Sequence, residues 1–100
     1  MAASLVWSPE ALEDLELIAE YIQRDSEFYA AAVVAKLVAK ARDIAEFPGS
    51  GRVVPEFDDS SLRECFVYSY RLIYQCDDDV VLMVAVVHGR RLLENSGRFE

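Results

Sequence analysis

The feature that most constrains the fold is an unbroken run of eight apolar residues at positions 80–87. A strand with one wet face alternates apolar and polar side chains, whereas a strand covered on both faces is apolar throughout. The run is too short to span a membrane, and no apolar stretch in the chain reaches the length that a spanning helix needs. It therefore predicts a strand inside a sheet, with helices packed on one side.

Two further strands are predicted just before this run, at residues 62–67 and 70–76. Tyr68 and Ser69 form the turn between them, and the three aspartates at positions 77–79 form the turn that leads into the apolar run. Residues 52–61 contain a proline and are expected to be a loop or an edge segment. The C-terminal part of the chain therefore predicts an antiparallel sheet.

The register of that first hairpin also decides the state of the two cysteines. It places Cys65 opposite Leu72 and Cys76 opposite Ser61, which leaves the two sulfur atoms too far apart for a disulfide. Both thiols are expected to be reduced. Together with the single histidine of the chain they form no recognisable ligand set, so no metal and no cofactor are predicted.

The N-terminal part predicts a short strand and then two helices. Residues 5–7 are the strand, Ser8 is the expected N-cap of the first helix, and Pro9 occupies its first position, where a missing N–H costs nothing. Asp25 and Ser26 break the pattern and cap a second helix over residues 27–46, which is rich in alanine and is expected to be buried on most sides.

These elements predict an α+β fold in which an N-terminal helical hairpin packs on a C-terminal antiparallel sheet. The length of 100 residues fits a single domain, expected to span residues 1–100. The first residues lack a basic stretch ahead of an apolar one, so no secretory signal is expected and the predicted location is the cytoplasm.

The charge of the chain argues against broad binding to nucleic acids, which depends on neutralising phosphates. The formal net charge is −8, and the first helix is rich in acidic residues. Six of the ten basic residues lie from Arg52 onward, and all six are arginines. A local arginine patch on an acidic protein therefore stays open.

An ordered set of short segments carries a resemblance to a known family. The segments are WSPEALEDL at residues 7–15, IAEYI at 18–22, FPGSGR at 47–52, VPE at 54–56, LRE at 62–64, YRLIY at 70–74 and VVHGRR at 86–91. Together they resemble the RelE/ParE superfamily of toxins from type II toxin–antitoxin modules, and the ParE, or plasmid-stabilisation, branch most closely. This resemblance implies the same helical hairpin on an antiparallel sheet, growth inhibition by the free toxin, and a cognate antitoxin.

The superfamily divides by target, and the resemblance leaves two mechanisms to weigh. RelE-like toxins cleave mRNA in the ribosomal A site, whereas ParE-like toxins poison DNA gyrase and have no accepted nuclease centre. For a ribonuclease, Arg71 and Arg91 match the strand arginine and the arginine after the last strand, and His88 is a candidate acid or base with Glu64 as its partner. A histidine that only holds the turn at Gly89 is the favoured alternative.

Two absences make the ribonuclease the second choice, so no catalytic residue is assigned. The loop and strand region contains no lysine, and the sequence after Arg91 contains neither tyrosine nor histidine. The gyrase mechanism requires a binding surface instead, and the best candidates are Arg90, Arg91 and Phe99, because arginine and aromatic residues anchor interfaces. A non-toxic family member that only binds its antitoxin is a third hypothesis.

Arg52 and Arg63 are further candidate partner contacts, each with a structural alternative. Arg52 could instead tie its loop to an acidic residue of the first helix. Arg63 and Glu64 are adjacent on a strand and therefore point to opposite faces, one expected toward solvent and the other toward the edge of a groove. The antitoxin is expected to bind through apolar anchors in a groove beside the helical hairpin.

Overall fold

A short strand and two helices come first along the chain, and four more strands follow them. The structure, a computed structural model, describes residues 3–89. Its elements are β1 (Ser4–Trp7), α1 (Pro9–Gln23), α2 (Glu27–Glu46), a 3-10 turn (Pro48–Ser50), β2 (Arg52–Val53), β3 (Leu62–Val67), β4 (Tyr70–Asp77) and β5 (Val80–His88). None of the helices in this part of the chain has the length and apolar content to cross a membrane.

The five strands form one sheet in the order β1-β5-β4-β3-β2. The apolar strand β5 has a neighbour on each side, as its sequence predicts, and β2 is an edge strand. The neighbouring pairs β2–β3, β3–β4 and β4–β5 are antiparallel, but β1 runs parallel to β5 and makes the sheet mixed. The α+β class is confirmed, with β1 as an addition to the predicted antiparallel sheet.

The hairpin of β3 and β4 has the predicted register. Val67 pairs with Tyr70, and Cys65 lies opposite Leu72. The backbone N–H of Cys76 donates to the carbonyl of Ser61 over 2.9 Å. Both cysteines are accordingly free thiols.

Serine side chains cap both helices, which explains where each one begins. The Ser8 hydroxyl accepts a hydrogen bond of 3.0 Å from the backbone N–H of Ala11. The Ser26 hydroxyl accepts one of the same length from Tyr29. These bonds satisfy donors that have no partner within the helix. The predicted N-cap Ser8 is confirmed, and within the predicted pair of Asp25 and Ser26 the capping residue is Ser26.

The main core lies between the helices and one face of the sheet. Leu37 and Ile44 of α2 and Leu72 and Met83 of the sheet are fully buried there. The prediction that α2 is buried on most sides is wrong, since its alanines at positions 31, 32, 35 and 39 are exposed. A helix on a sheet buries one stripe, and the small alanine side chain is tolerated on the solvent side as well.

A smaller apolar cluster covers the opposite, helix-free face of the sheet. Ile73, Ala85 and Val87 contribute from the sheet, and Val54 is fully buried beside them. Phe57, from the loop that joins β2 and β3, packs against this cluster. Cover on both faces is the physical reason why β5 is apolar throughout.

Candidate functional site

Four charged side chains meet on the helix-free face of the sheet. They are Arg52 of β2, Glu64 of β3, Arg71 of β4 and Glu56 of the β2–β3 loop. Arg52 lies opposite Glu64 in the register, and the alternation of strand side chains directs Glu64 and Arg71 to the same face. Glu64 is 1% exposed and Arg71 is 4% exposed, so the cluster is largely withdrawn from water.

Arg71 is the centre of this buried arginine cluster and lies between two carboxylates. Its Nη1 and Nη2 donate to the two carboxylate oxygens of Glu56 over 2.7 and 2.8 Å, in the bidentate arrangement that suits a guanidinium. Its Nε donates to Oε1 of Glu64 over 2.8 Å. The hydrogen bonds that Arg71 donates to Glu56 raise the pKa of Arg71, burial lowers it, and the contacts with Glu64 raise it again, so the net shift is upward.

The other oxygen of Glu64 binds Arg52. The Arg52 Nε donates to Glu64 Oε2 over 2.5 Å, and the guanidinium lies 5.5 Å from the ring centroid of Phe66. The prediction that Arg52 ties its loop to the first helix is therefore wrong, because its partner is on the neighbouring strand. The Arg52 side chain is still 63% exposed and so remains accessible to a partner.

Arg63 points away from this cluster, as the alternation of the strand predicts. Its Nη1 donates to the carbonyl oxygen of Gly51 over 2.9 Å, which ties β3 to the segment before β2. Glu64, predicted at solvent or at a groove edge, is instead buried beneath two arginines. Both residues have structural roles, and a partner contact by Arg63 stays a prediction.

The predicted pairing of His88 with Glu64 is wrong. His88 lies opposite Tyr70, whereas its neighbour Val87 lies opposite Arg71. Because successive residues of a strand point to opposite faces, His88 is on the helix side of the sheet while Glu64 is on the other. The structure therefore brings Arg71 and Glu64 together and keeps His88 apart from them.

An aromatic groove on the helix side contains His88. The groove has a cavity volume of about 630 Å³ and lies between the helical hairpin and the β3–β4 turn. Its aromatic lining consists of Tyr21, Tyr29, Tyr68, Tyr70 and His88. The rings of Tyr70 and His88 meet edge to face, with 5.9 Å between their centroids.

The tyrosine hydroxyls of this groove are close enough to influence one another. Burial raises the pKa of Tyr70, and the neighbouring phenols of Tyr29 and Tyr21 raise it further. Two carboxylates, Asp14 and Asp25, also line the groove. Asp14 accepts a hydrogen bond of 2.9 Å from the backbone N–H of Val86, which joins α1 to β5.

Three predicted contact residues, Arg90, Arg91 and Phe99, lie outside the described residues. Within residues 3–89 there is no group of three or more histidine, cysteine, aspartate or glutamate side chains that could hold a metal ion. Sequence reasoning missed Glu56 as a site residue. It is 15 positions from Arg71, and no local pattern indicates that this loop folds back over β4.

Comparison with known proteins identifies the family. The family model for the ParE toxin of the type II toxin–antitoxin system parDE matches residues 5–93. The chain belongs to the ParE toxin family. Toxin RelE2 of Caulobacter vibrioides is 34% identical over 91 residues, which are 90% of this chain and 99% of that protein. The chain is thus the toxin of a type II toxin–antitoxin system, and the resemblance to the RelE/ParE superfamily is confirmed.

Solved structures of related toxins share the fold of this ParE-family toxin. A chain of the chromosomal ParDE system from P. aeruginosa superposes with a TM-score of 0.72 at 16% identity, over 87% of the toxin and 96% of that chain. The E. coli toxin RelE, as a mutant in the free state, gives 0.66 at 22% identity, over 99% and 92%. A chain of the RelBE2 toxin–antitoxin complex from Mycobacterium tuberculosis also gives 0.66, at 21% identity, over 88% and 92%.

Proposed function

We propose that this toxin inhibits DNA gyrase and that a cognate antitoxin neutralises it by binding in the aromatic groove. The observation that carries the choice of target is the buried arginine cluster. A ribonuclease of this superfamily would need Arg71 to hold the reacting phosphate, but the guanidinium is already bound to Glu56 and Glu64. The toxin is therefore proposed to act through a binding surface.

The energetics of the cluster support this choice. The Arg71 side chain is only 5% exposed, so a phosphate could reach it only after the loop that carries Glu56 moved away. Removing one partner of a buried ion pair costs about 3–5 kcal/mol, because the charge that stays buried loses its compensation. Stabilising a transition state requires donors that are already in place and free to bind the developing charge. The donors of Arg71 are not free in this way, because they are already bound to Glu56 and Glu64.

The proposed gyrase-binding surface is formed by Arg90, Arg91 and Phe99. In the sequence, Arg90 and Arg91 come shortly after β5 and Phe99 lies near the C-terminal end, and their side chain types are those that anchor protein interfaces. The exposed guanidinium of Arg52 is a further candidate contact. The proposed mechanism is that the toxin holds gyrase in an inactive or DNA-bound state without chemistry of its own.

Supercoiling by purified gyrase tests the proposed target. We expect the wild-type toxin to inhibit supercoiling, and Arg91→Ala to weaken the inhibition by about ten-fold, as expected for an interface anchor. Arg42→Ala changes an exposed arginine on α2 and is the matched control, for which inhibition should be unchanged. A wild-type toxin without effect on gyrase would remove the proposal.

Induction in cells separates gyrase from the ribosome. An SOS response with filamentation supports the proposal, whereas a rapid loss of translation with cleaved messages supports the RelE-type ribonuclease. Normal growth supports a non-toxic member that only binds its antitoxin. If the toxin cleaves RNA and His88→Gln abolishes the cleavage, the toxin is a ribonuclease. His88→Gln is preferred to Arg71→Ala for this test, because Arg71→Ala also breaks the buried cluster.

A further inference from the structure

One aromatic residue of the groove lies in an unfavourable backbone conformation. Tyr68 has a φ of 53°, and Asp78 has a φ of 48°. Each is the first residue of a two-residue turn between antiparallel strands. Aspartate is among the residues that tolerate this left-handed region, but a bulky tyrosine there is an outlier.

Burial does not explain why a tyrosine occupies this position. Tyr68 is 60% exposed, so its ring contributes little to the core. The ring lines the aromatic groove and also a second, smaller groove in which Lys36 and Lys40 of α2 take part. Strained residues with no packing role are found where a side chain is needed for binding. The position of Tyr68 between two grooves indicates such a use.

The charge of the groove indicates which kind of group would bind there. Asp14 and Asp25 line it, and none of the described lining residues is a lysine or an arginine. The surrounding sequence at positions 9–29 contains seven acidic residues and one basic residue, Arg24. Aromatic faces beside carboxylates attract cations. The guanidinium of Arg24 already lies 5.9 Å from the ring centroid of Tyr21, which lines the groove.

We propose that the groove receives an antitoxin segment that carries an arginine or lysine among apolar residues, with Tyr68 as its main anchor. The cationic group lies against the tyrosine rings and Asp25, and the apolar residues contact Leu17 and Ile18. This inference rests on the proposed antitoxin site and narrows its chemistry. The positive charge of the antitoxin segment then compensates the negative charge of the acidic toxin at this groove.

Two other kinds of segment fit the groove less well. A segment with an acidic side chain at this point would face Asp14 and Asp25 and would be repelled by them. A purely apolar segment would take the carboxylate of Asp25 out of water without giving it a partner. The cavity of about 630 Å³ has room for a few side chains, which matches a short anchor sequence.

Small peptide probes test this inference on the full toxin. The three probes are acetyl-leucyl-arginine amide, the same dipeptide with citrulline, which has the shape of arginine without its charge, and the same dipeptide with glutamate. Binding is measured by NMR from the shifts of the tyrosine ring protons. We expect the arginine probe to bind about three- to ten-fold more tightly than the citrulline probe and the glutamate probe to bind most weakly.

Three variants connect this preference to the groove. Asp25→Asn should bring the arginine and citrulline affinities close together. Tyr68→Gly should weaken binding of the arginine probe about ten-fold, while its stability to urea stays equal or rises because glycine accepts a positive φ. Asp78→Gly makes the same change in the other turn and should leave binding unaltered.

Several outcomes would overturn the inference. They are equal binding of the arginine and citrulline probes, preference for the glutamate probe, no binding of any probe, and unchanged binding in Tyr68→Gly. None of these results bears on gyrase inhibition, which the supercoiling assay measures separately. Failure of the inference and failure of the proposed function are therefore distinguishable.

Discussion

At the scale of single residues, the contact between Gly51 and Tyr74 explains why the second glycine of the FPGSGR segment cannot be replaced by a residue with a Cβ atom. The Tyr74 hydroxyl accepts from the backbone N–H of Gly51 over 2.9 Å and donates to the carbonyl of Pro48 over 2.8 Å. A Cβ atom on Gly51 would collide with that hydroxyl and would lie 2.7 Å from the backbone oxygen of Glu64. Gly51 is therefore required by close approach, since its φ of −80° is open to any residue.

The close approach at Gly51 predicts a specific loss of stability. Gly51→Ala should lower the free energy of unfolding by roughly 1–3 kcal/mol, the usual cost of overpacking a core. Gly49→Ala is the control, because a Cβ there meets no atom within 4 Å. Urea denaturation of both variants checks this, and an equal effect at the two positions would contradict the collision.

Tyr74 also predicts a dependence of stability on alkaline pH. Burial raises the pKa of Tyr74 to about 12, compared with 10.0 for the free side chain. Between these two values the unfolded chain releases the phenolic proton while the folded chain keeps it, so the free energy of unfolding falls as the pH rises. Below pH 10.0 this contribution is fully present.

The variant Tyr74→Phe tests this dependence. Urea denaturation across the alkaline range should show a smaller fall in the free energy of unfolding than in the wild type, because the group that titrates is gone. Tyr68→Phe changes an exposed tyrosine that is not one of the phenols raising the pKa of Tyr70, and it should leave the wild-type slope in place. The same slope in Tyr74→Phe as in the wild type would assign the effect to other groups.

At the scale of elements, the two helix caps differ in what they join. The Ser26 hydroxyl only accepts the capping bond from Tyr29 at an exposed helix start. The Ser8 hydroxyl accepts the capping bond from Ala11 and also donates to the carbonyl of Val84 over 3.3 Å. Ser8 therefore holds the start of α1 and fixes it to the interior strand β5.

This difference predicts unequal costs for the two serine-to-alanine substitutions. Ser26→Ala should lower the free energy of unfolding by about 1 kcal/mol, as is usual for an N-cap. Ser8→Ala should cost about twice as much, because a second, partly buried hydrogen bond is lost as well. Urea denaturation of the two variants side by side gives the comparison. A larger cost for Ser26→Ala would contradict the role assigned to Ser8.

At the scale of the whole molecule, the acidic charge opposes the compact state. The formal net charge is −8, and the acidic side chains of α1 are close together on one helix. Repulsion among exposed charges falls as salt shortens the range of electrostatic interactions. The ion pairs of Arg71 with Glu56 and Glu64 are screened much less, because they are withdrawn from water.

The toxin should therefore become more stable in salt. Raising NaCl from about 0.05 to 0.5 M is expected to increase Tm by a few degrees. Glu16→Gln, which removes one exposed charge from α1, should increase Tm at low salt and reduce the further gain. Thermal unfolding by circular dichroism gives both values. A Tm that falls with salt would show that surface ion pairs outweigh the repulsion.

The sequence by itself determined the elements and their local connections. The two serine caps, the bounds of β3, the register around Tyr68 and Ser69, and the interior place of β5 all follow from signals within a few residues. Such signals act through the chain's own hydrogen bonds and side chain alternation, which do not depend on distant segments. The family resemblance likewise came from short segments in a fixed order.

Only the tertiary structure decided which charged groups meet. Arg71 is bound by Glu56 and Glu64 and not exposed, His88 is on the opposite face from Glu64, and the alanine face of α2 is in solvent. The parallel pairing of β1 with β5 belongs with these features. Each depends on how segments far apart in the chain pack against the sheet, and burial then sets the strength of every ion pair. A local pattern contains no information about that packing.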